Sequence, residues 1–285
     1  MSVLPWRQLR DESIERLRAA GIDDPEQEVR WIIERASGHS PSEQVGVLDD
    51  PVTEREVRFV DQMVTRRAEG EPLQYVLGRW GFRTLDLLVD PRVLIPRPET
   101  EVVAGLAIDA LPTGGVLLDL GTGSGAIALS VAAERWPDVE VWATDTSSEA
   151  LGVARANLAG LGRRAGVVRL VEGDWYAALP DELHGQVAVI VSNPPYVAAT
   201  DSLPPEVAEW EPSTALVSGP TGLEAIELIL AGAVDWLAPG GTLVVEIGET
   251  QGAAVLALAQ SAGFTNSRIE PDLAGRDRAL VATHP

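Results

Sequence analysis

Apolar positions over residues 1–80 recur at helical spacing. Trp6, Leu9, Ile14 and Leu17 form a broken stripe that Gly21 stops. Asp24 followed by Pro25 reads as a cap and a first-turn proline. They open a helix that turns Val29, Ile32, Ile33 and Ala36 inward and ends at Gly38. Thr53 and Glu56 stand at capping-box spacing ahead of a third helix, carried by Val57, Val60 and Val64 and closed by Gly70. Pro72 begins a connector. This stretch predicts a small helical bundle, and it holds no chemical motif.

From residue 80 to 89 the pattern changes. Phe82, Leu85 and Leu87 among polar neighbours predict the strands of a hairpin, with a turn at Asp90-Pro91. The segment Ile95-Pro96-Arg97-Pro98-Glu99-Thr100-Glu101 then leads into a helix that runs through Leu106. After Gly114, strand and helix alternate. Apolar runs predict strands at residues 116–120, 139–143, 167–171, 187–191 and 242–247. Helical stretches follow at residues 126–135, 148–161, 223–237 and 251–261, and two last strands lie near Ser267 and Ala279. Such alternation predicts an α/β fold with a mostly parallel sheet covered on both faces. The expected division is a helical domain at 1–75, a β-hairpin linker at 76–97 and a catalytic domain at 98–285.

Composition narrows the chemistry. The chain has 285 residues, 45% hydrophobic and 23% charged, ordinary values for a globular protein. It has no cysteine, and its three histidines, His39, His184 and His284, are scattered, so no catalytic metal is expected. Residues 1–12 lack the apolar core of a signal peptide, and the glycine-rich stretch 120–133 is too short to span a bilayer. The expected location is the cytoplasm, with no membrane partner. Net charge is −21, and stable nucleic-acid binding, which rests on neutralising phosphates, is not expected. Every basic side chain is arginine, so the phosphate-gripping lysine of a P-loop is missing.

Within this frame Gly121-x-Gly123-x-Gly125, between an apolar run and a helix, has the layout of a nucleotide site. Glycines permit a tight turn and let backbone approach a ligand. Asp145, at the end of the next strand, is placed to accept from both hydroxyls of a ribose. A dinucleotide and S-adenosylmethionine both suit this arrangement, and a nicotinamide-dependent dehydrogenase stays open here. Gly173-Asp174-Trp175 follows the third strand at the edge where such sheets bind ligands. Asp174 can accept from an adenine amino group. Trp175 either lies against the ring or is an ordinary core aromatic.

Asn193-Pro194-Pro195-Tyr196 follows the strand at residues 187–191 directly. Two prolines end a ladder and give a rigid, extended exit. An amide nitrogen is a poor nucleophile because its lone pair is delocalised. Acceptors that grip its two hydrogens turn the lone pair toward a methyl donor, and the Asn193 side-chain oxygen and the Pro194 carbonyl are two such acceptors. Tyr196 can pack on the flat face of the substrate and help exclude water. This placement explains the tetrapeptide, which a dehydrogenase or a non-catalytic binding module does not.

These residues resemble the HemK/PrmC family, the release factor glutamine methyltransferases, within the class I methyltransferases. The likeness runs over nearly the whole chain. It includes Gly81-Phe82, the stretch from Val93 to Glu101, Asp119 to Gly125, Asp174-Trp175 and the tetrapeptide. Glu211-Pro212, and Asp272-Leu273-Ala274-Gly275-Arg276-Asp277-Arg278, are similar to the family's tail. The resemblance implies a Rossmann-like seven-stranded sheet and S-adenosyl-L-methionine as cofactor. It also implies cofactor contacts from Gly121, Thr122, Gly123, Ser124, Gly125, Asp145, Asp174, Trp175 and Asn193. It gives Asn193, Pro194 and Tyr196 catalytic roles, and it implies that Asn193, Pro194, Pro195 and Tyr196, with Phe82, hold the glutamine of a Gly-Gly-Gln loop. The implied partner is a class 1 peptide chain release factor. The segment from Arg97 to Glu101 favours that substrate over a ribosomal protein, while Arg97, Glu99 and Glu101 stay outside the catalytic set. Adenine-N6 DNA methyltransferases share the tetrapeptide but need a basic surface that this chain lacks.

Overall fold

The structure, a computed structural model, describes residues 4–285. It divides into two compact units. The first comprises residues 4–79 with 205–210, and the second residues 80–204 with 211–285.

The helical unit is built from α1 (Trp6–Ala19), α2 (Pro25–Ser37), the single turn α3 (Pro41–Gln44), α4 (Glu54–Ala68) and α5 (Leu73–Leu77). Its core is the facing stripes of the three long helices, with Leu17, Val29, Ile32, Val60 and Val64 sealed from solvent. The caps form where the sequence places them. Asp24 accepts from Gln27 N at 3.2 Å, and the Thr53–Glu56 capping box is complete. On α1 the buried position is Ser13 rather than Ile14, which is only half-buried. The set 6, 9, 13, 17 keeps the 3.6-residue period, and the Ser13 hydroxyl donates to the Leu9 carbonyl at 2.7 Å. The connector expected after Pro72 is a short helix. Arg67, nearly buried, joins Glu28 on α2 at 2.7 Å to Glu206 on α9 (Pro205–Trp210) at 3.1 Å.

The α/β unit opens with a hairpin, β1 (Arg79–Phe82) and β2 (Leu85–Leu88), and then α6 (Pro98–Ala110). β3 (Val116–Leu120), α7 (Ala126–Arg135), β4 (Glu140–Asp145), α8 (Ser148–Gly160), β5 (Val168–Glu172) and β6 (Val187–Ser192) follow. β7 (Val197–Ala198) pairs with β8 (Val217–Gly219) as a small separate ladder. The chain ends with α10 (Glu224–Trp236), β9 (Leu237–Glu246), α11 (Gly252–Ser261), β10 (Asn266–Pro271) and β11 (Asp277–Thr283). The seven-stranded order is β10-β11-β9-β6-β3-β4-β5. The pairs from β9 through β5 are parallel, and β11 runs antiparallel to both of its neighbours.

Two apolar cores line the two faces of this sheet, and the central strands are almost wholly buried, which explains their unbroken Val, Leu and Ile runs. The chain leaves β3 for β4 on one side and has β6 on the other. The order therefore reverses between β3 and β6, and the crevice above their carboxyl ends is where such sheets bind ligands.

Candidate active site

The crevice holds a cavity of about 310 Å³ lined by residues from both sides of the reversal. Gly121, Thr122, Gly123 and Ser124 line it from the loop after β3, and Asp145 from the end of β4. Asp174 and Trp175 follow β5, and Asn193 and Pro195 follow β6. Nine of the residues singled out in the sequence thus meet at one opening.

The loop is shaped by backbone. Gly121, Gly123 and Gly125 have φ of 73°, 56° and 86°, values that side-chain-bearing residues rarely adopt. At Gly125, which lies outside the lining, a Cβ would also fall 2.9 Å from Leu129 Cδ1. Two carboxylates fasten the turn. Asp145 accepts from Gly123 N at 2.8 Å and from Ser147 N at 2.9 Å, and burial pushes its carboxyl upward. Asp119, 1% exposed, accepts from the Thr122 hydroxyl at 2.7 Å and from Ala128 N at 3.0 Å, both on Oδ2. Burial raises its carboxyl to about 6, against the pull of those two hydrogen bonds.

Asp119 was missing from the sequence-based site. Its signal was an acid interrupting an apolar run two positions before the first glycine. Its Oδ1 is buried without a hydrogen-bond partner, although Asp119 lines the cavity. An unpaired buried carboxylate oxygen is costly unless a ligand's donor satisfies it, and the ammonium of S-adenosylmethionine is such a donor. Asn157 on α8 was missed too. Its amide donates to the Ser124 carbonyl at 2.9 Å and exchanges two bonds with Leu88 of β2, tying the hairpin to the loop.

Trp175 does not choose between its two expected roles. Its indole packs on one of the cores and also lines the cavity, and its backbone sits at φ 47°, held by the Thr144 hydroxyl donating to its carbonyl at 3.0 Å. Asp174 is exposed at the rim.

The tetrapeptide is more dispersed. Asn193 Nδ2 donates to Thr100 Oγ1 at 3.1 Å, and Thr100 in turn donates to Glu246 Oε2 at 2.7 Å. Pro194 and Tyr196 do not line the cavity. The Tyr196 hydroxyl instead donates to Glu246 Oε1 at 3.3 Å, and burial raises the phenol well above its ordinary value. Glu246, 1% exposed at the end of β9, is raised to about 7, chiefly by burial.

Phe82 is not brought to the site. It is 1% exposed and belongs to the core cluster that holds Leu87, Val103 of α6 and Leu129 of α7, and β2 of the hairpin packs against α8. The substrate role expected for it is corrected to a packing role. The charged residues left open also find structural partners. Arg97 pairs with the buried Glu211, Glu99 with Arg276 at 3.1 Å, and Glu101 accepts from Arg83 N at 3.0 Å.

Relatives bear directly on this geometry. Residues 8–78 match the family described as PrmC N-terminal domain, and residues 102–208 match the methyltransferase small domain. A release factor glutamine methyltransferase of Burkholderia pseudomallei is 42% identical over 93% of this chain and 93% of its own. One from Moorella thermoacetica is 41% identical over 97% of each. The chain belongs to the release factor glutamine methyltransferase family. It is an enzyme, a methyltransferase. Among solved structures, the hMettl16 catalytic domain, crystallised with the MAT2A 3'UTR hairpin 6, shares the fold at a TM-score of 0.52. It is 14% identical, over 81% of this chain and 82% of that one. Among the described residues no helix is long and apolar enough to cross a membrane.

Proposed function

We propose that this enzyme methylates the side-chain amide nitrogen of the glutamine in the Gly-Gly-Gln motif of class 1 peptide chain release factors, in the cytoplasm. The support for the substrate is the shared name of relatives that align over nearly the full chain. The observation that carries the chemistry is the state of Asn193. Its amide nitrogen is committed to Thr100, while among the described residues nothing donates to its oxygen, beside the glycine loop.

S-adenosylmethionine supplies an activated methyl group on a sulfonium. The chain's own residues do the rest. Asn193 Oδ1 and the Pro194 carbonyl accept the two N–H bonds of the substrate amide, so the nitrogen's lone pair is turned toward the methyl carbon. Charge that develops on nitrogen as the N–C bond forms faces two fixed oxygen dipoles, which need no reorganisation. One N–H proton, acidic only after methyl transfer, then passes to water. Asp145 is the acceptor for the ribose, and Asp174 and Trp175 flank the adenine. Tyr196, tethered to Glu246, steadies the tetrapeptide from behind.

The helical unit, which has no chemical motif, is assigned to docking the body of the release factor. A short Gly-Gly-Gln peptide should then be a poorer substrate than the whole factor, and equal kcat/KM for the two would remove the docking role.

The deciding experiment is mass spectrometry of a class 1 release factor incubated with this protein and S-adenosylmethionine. One added methyl on the Gly-Gly-Gln glutamine is expected. Methylation of a ribosomal protein or of adenine in duplex DNA instead, with the factor untouched, would replace this reading.

A further inference from the structure

Thr100 lies within the Arg97 to Glu101 segment that the sequence singled out, in the first turn of α6, and Glu246 ends β9. Both are sealed, at 3% and 1% exposure. Among the described residues no cation reaches Glu246 within ion-pair distance, although Arg278, also buried, is close enough to lower its carboxyl. A sealed carboxylate without an ion pair is costly, so its remaining partners matter. They are two hydroxyls, Thr100 at 2.7 Å and Tyr196 at 3.3 Å.

The direction of these bonds has a consequence for Asn193. A hydroxyl carries one proton, and above about pH 7, where Glu246 is ionised and can only accept, Thr100 spends it on that carboxylate. Toward Asn193, Thr100 is then left with lone pairs alone. The Asn193 amide must turn its NH2 to Thr100, at 3.1 Å, and its oxygen the other way. Were the threonine proton free, the hydroxyl could donate to the asparagine oxygen and the amide would rotate by half a turn. Asn193 would then present N–H donors to a substrate that is itself a donor.

We propose that Thr100 and Glu246 are positioning residues that fix the orientation of the Asn193 amide, so that it offers oxygen to the substrate nitrogen. The relay rests on the amide-methylation reading above and extends it to residues outside the tetrapeptide. Neither residue touches the reacting atoms in this role. Glu246 orders Thr100, and Thr100 orders Asn193.

Kinetics test the relay with the full-length enzyme, S-adenosylmethionine and a whole class 1 release factor. Thr100→Val keeps the shape and removes the hydroxyl, and kcat should fall about 30-fold, with KM for the factor and cofactor affinity within about threefold of wild type. Glu246→Gln offers Thr100 a donor and should lower kcat about tenfold. Thr100→Ser, which restores the hydroxyl, should recover most of the rate lost in the valine variant. An unchanged kcat in Thr100→Val would overturn the relay. So would a fall in kcat matched by equal losses in cofactor affinity and Tm, the mark of a merely structural role.

A second measurement needs no methyl acceptor. The chain has three asparagines, Asn157, Asn193 and Asn266, so asparagine-selective 15N labelling gives three resolvable side-chain amides. In wild type the Asn193 NH2 signals should be hydrogen-bonded and slow to exchange, and in Thr100→Val they should move to solvent-like positions. Signals that stay in place would reject the relay, even if the release factor proved to be the wrong substrate. Absence of methylation in wild type alone would count against the substrate reading, and these spectra would still decide the relay.

Discussion

The glycine loop and Asn193, at the head of the tetrapeptide, face one cavity, yet they are held in different ways. The loop is a local object. Three left-handed glycines within five positions set its path, and Asp119 and Asp145 fasten it from the ends of the strands beside it. The tetrapeptide owes its orientation to distant partners. Asn193 leans on Thr100, 93 positions away, and Thr100 on Glu246, 146 positions away. On the proposed reading, backbone conformation builds the cofactor end and a chain of side chains builds the acceptor end. Substitutions should therefore separate binding from chemistry.

The largest separation is expected at Asn193. Asn193→Ala removes an acceptor that acts as charge develops, and the single-turnover methyl-transfer rate should fall by about 100- to 1,000-fold. Cofactor affinity should stay within about threefold. A loss of affinity as large as the loss of rate would erase the distinction between the two ends.

Gly125→Val probes the other end. A β-branched residue at φ 86° with its Cβ 2.9 Å from Leu129 combines left-handed strain with overpacking, about 3 kcal/mol together. Calorimetric titration should show cofactor affinity down by roughly 100-fold. Binding at wild-type strength would mean the loop tolerates a side chain there.

The two ends should also separate by pH. The Glu246 carboxyl sits at about 7 in the folded chain against an ordinary 4.5. Between those values the folded protein keeps a proton that the unfolded chain has released. The stability tied to this group is thus complete below 4.5 and is lost as pH rises through 7. At roughly 1.4 kcal/mol per pH unit the loss is about 3 kcal/mol. Glu246→Gln has nothing to titrate there, so its Tm should gain on wild type by about 5–10 °C from pH 4.5 to 8 in scanning calorimetry. Asp119, raised to about 6 from 3.8, gives the same sign in a lower window, and Asp119→Asn should gain only up to about pH 6. Parallel curves with no gain would show that neither carboxyl is perturbed.

The smallest effect is expected at Tyr196→Phe. One bond of 3.3 Å to Glu246 is lost, worth about 1 kcal/mol or less, and kcat should drop by no more than roughly fivefold. A collapse in rate would promote the hydroxyl from tether to participant.

The same contrast explains what could be read from the sequence. The central strands were visible because burial on both faces demands unbroken apolar runs, and the loop because three glycines at alternate positions have few other uses. The caps at Asp24 and Thr53 were visible because capping acts over three residues. Helix α9 and the β7–β8 ladder are too short to leave a periodic trace. Phe82 carries no mark that tells a core aromatic from a substrate contact, and the hairpin's packing decides it. The Thr100–Glu246 link joins a helix start to a strand end through tertiary structure alone, and nothing local to either residue announces it.

The central claim is geometric, and a crystal structure of the enzyme with S-adenosylhomocysteine and a Gly-Gly-Gln peptide tests it most directly. The account predicts the Asn193 oxygen about 2.7–3.2 Å from the glutamine side-chain nitrogen, with the asparagine NH2 on Thr100. An Asn193 amide whose nitrogen faces the substrate, or a glutamine held by other acceptors, would contradict it.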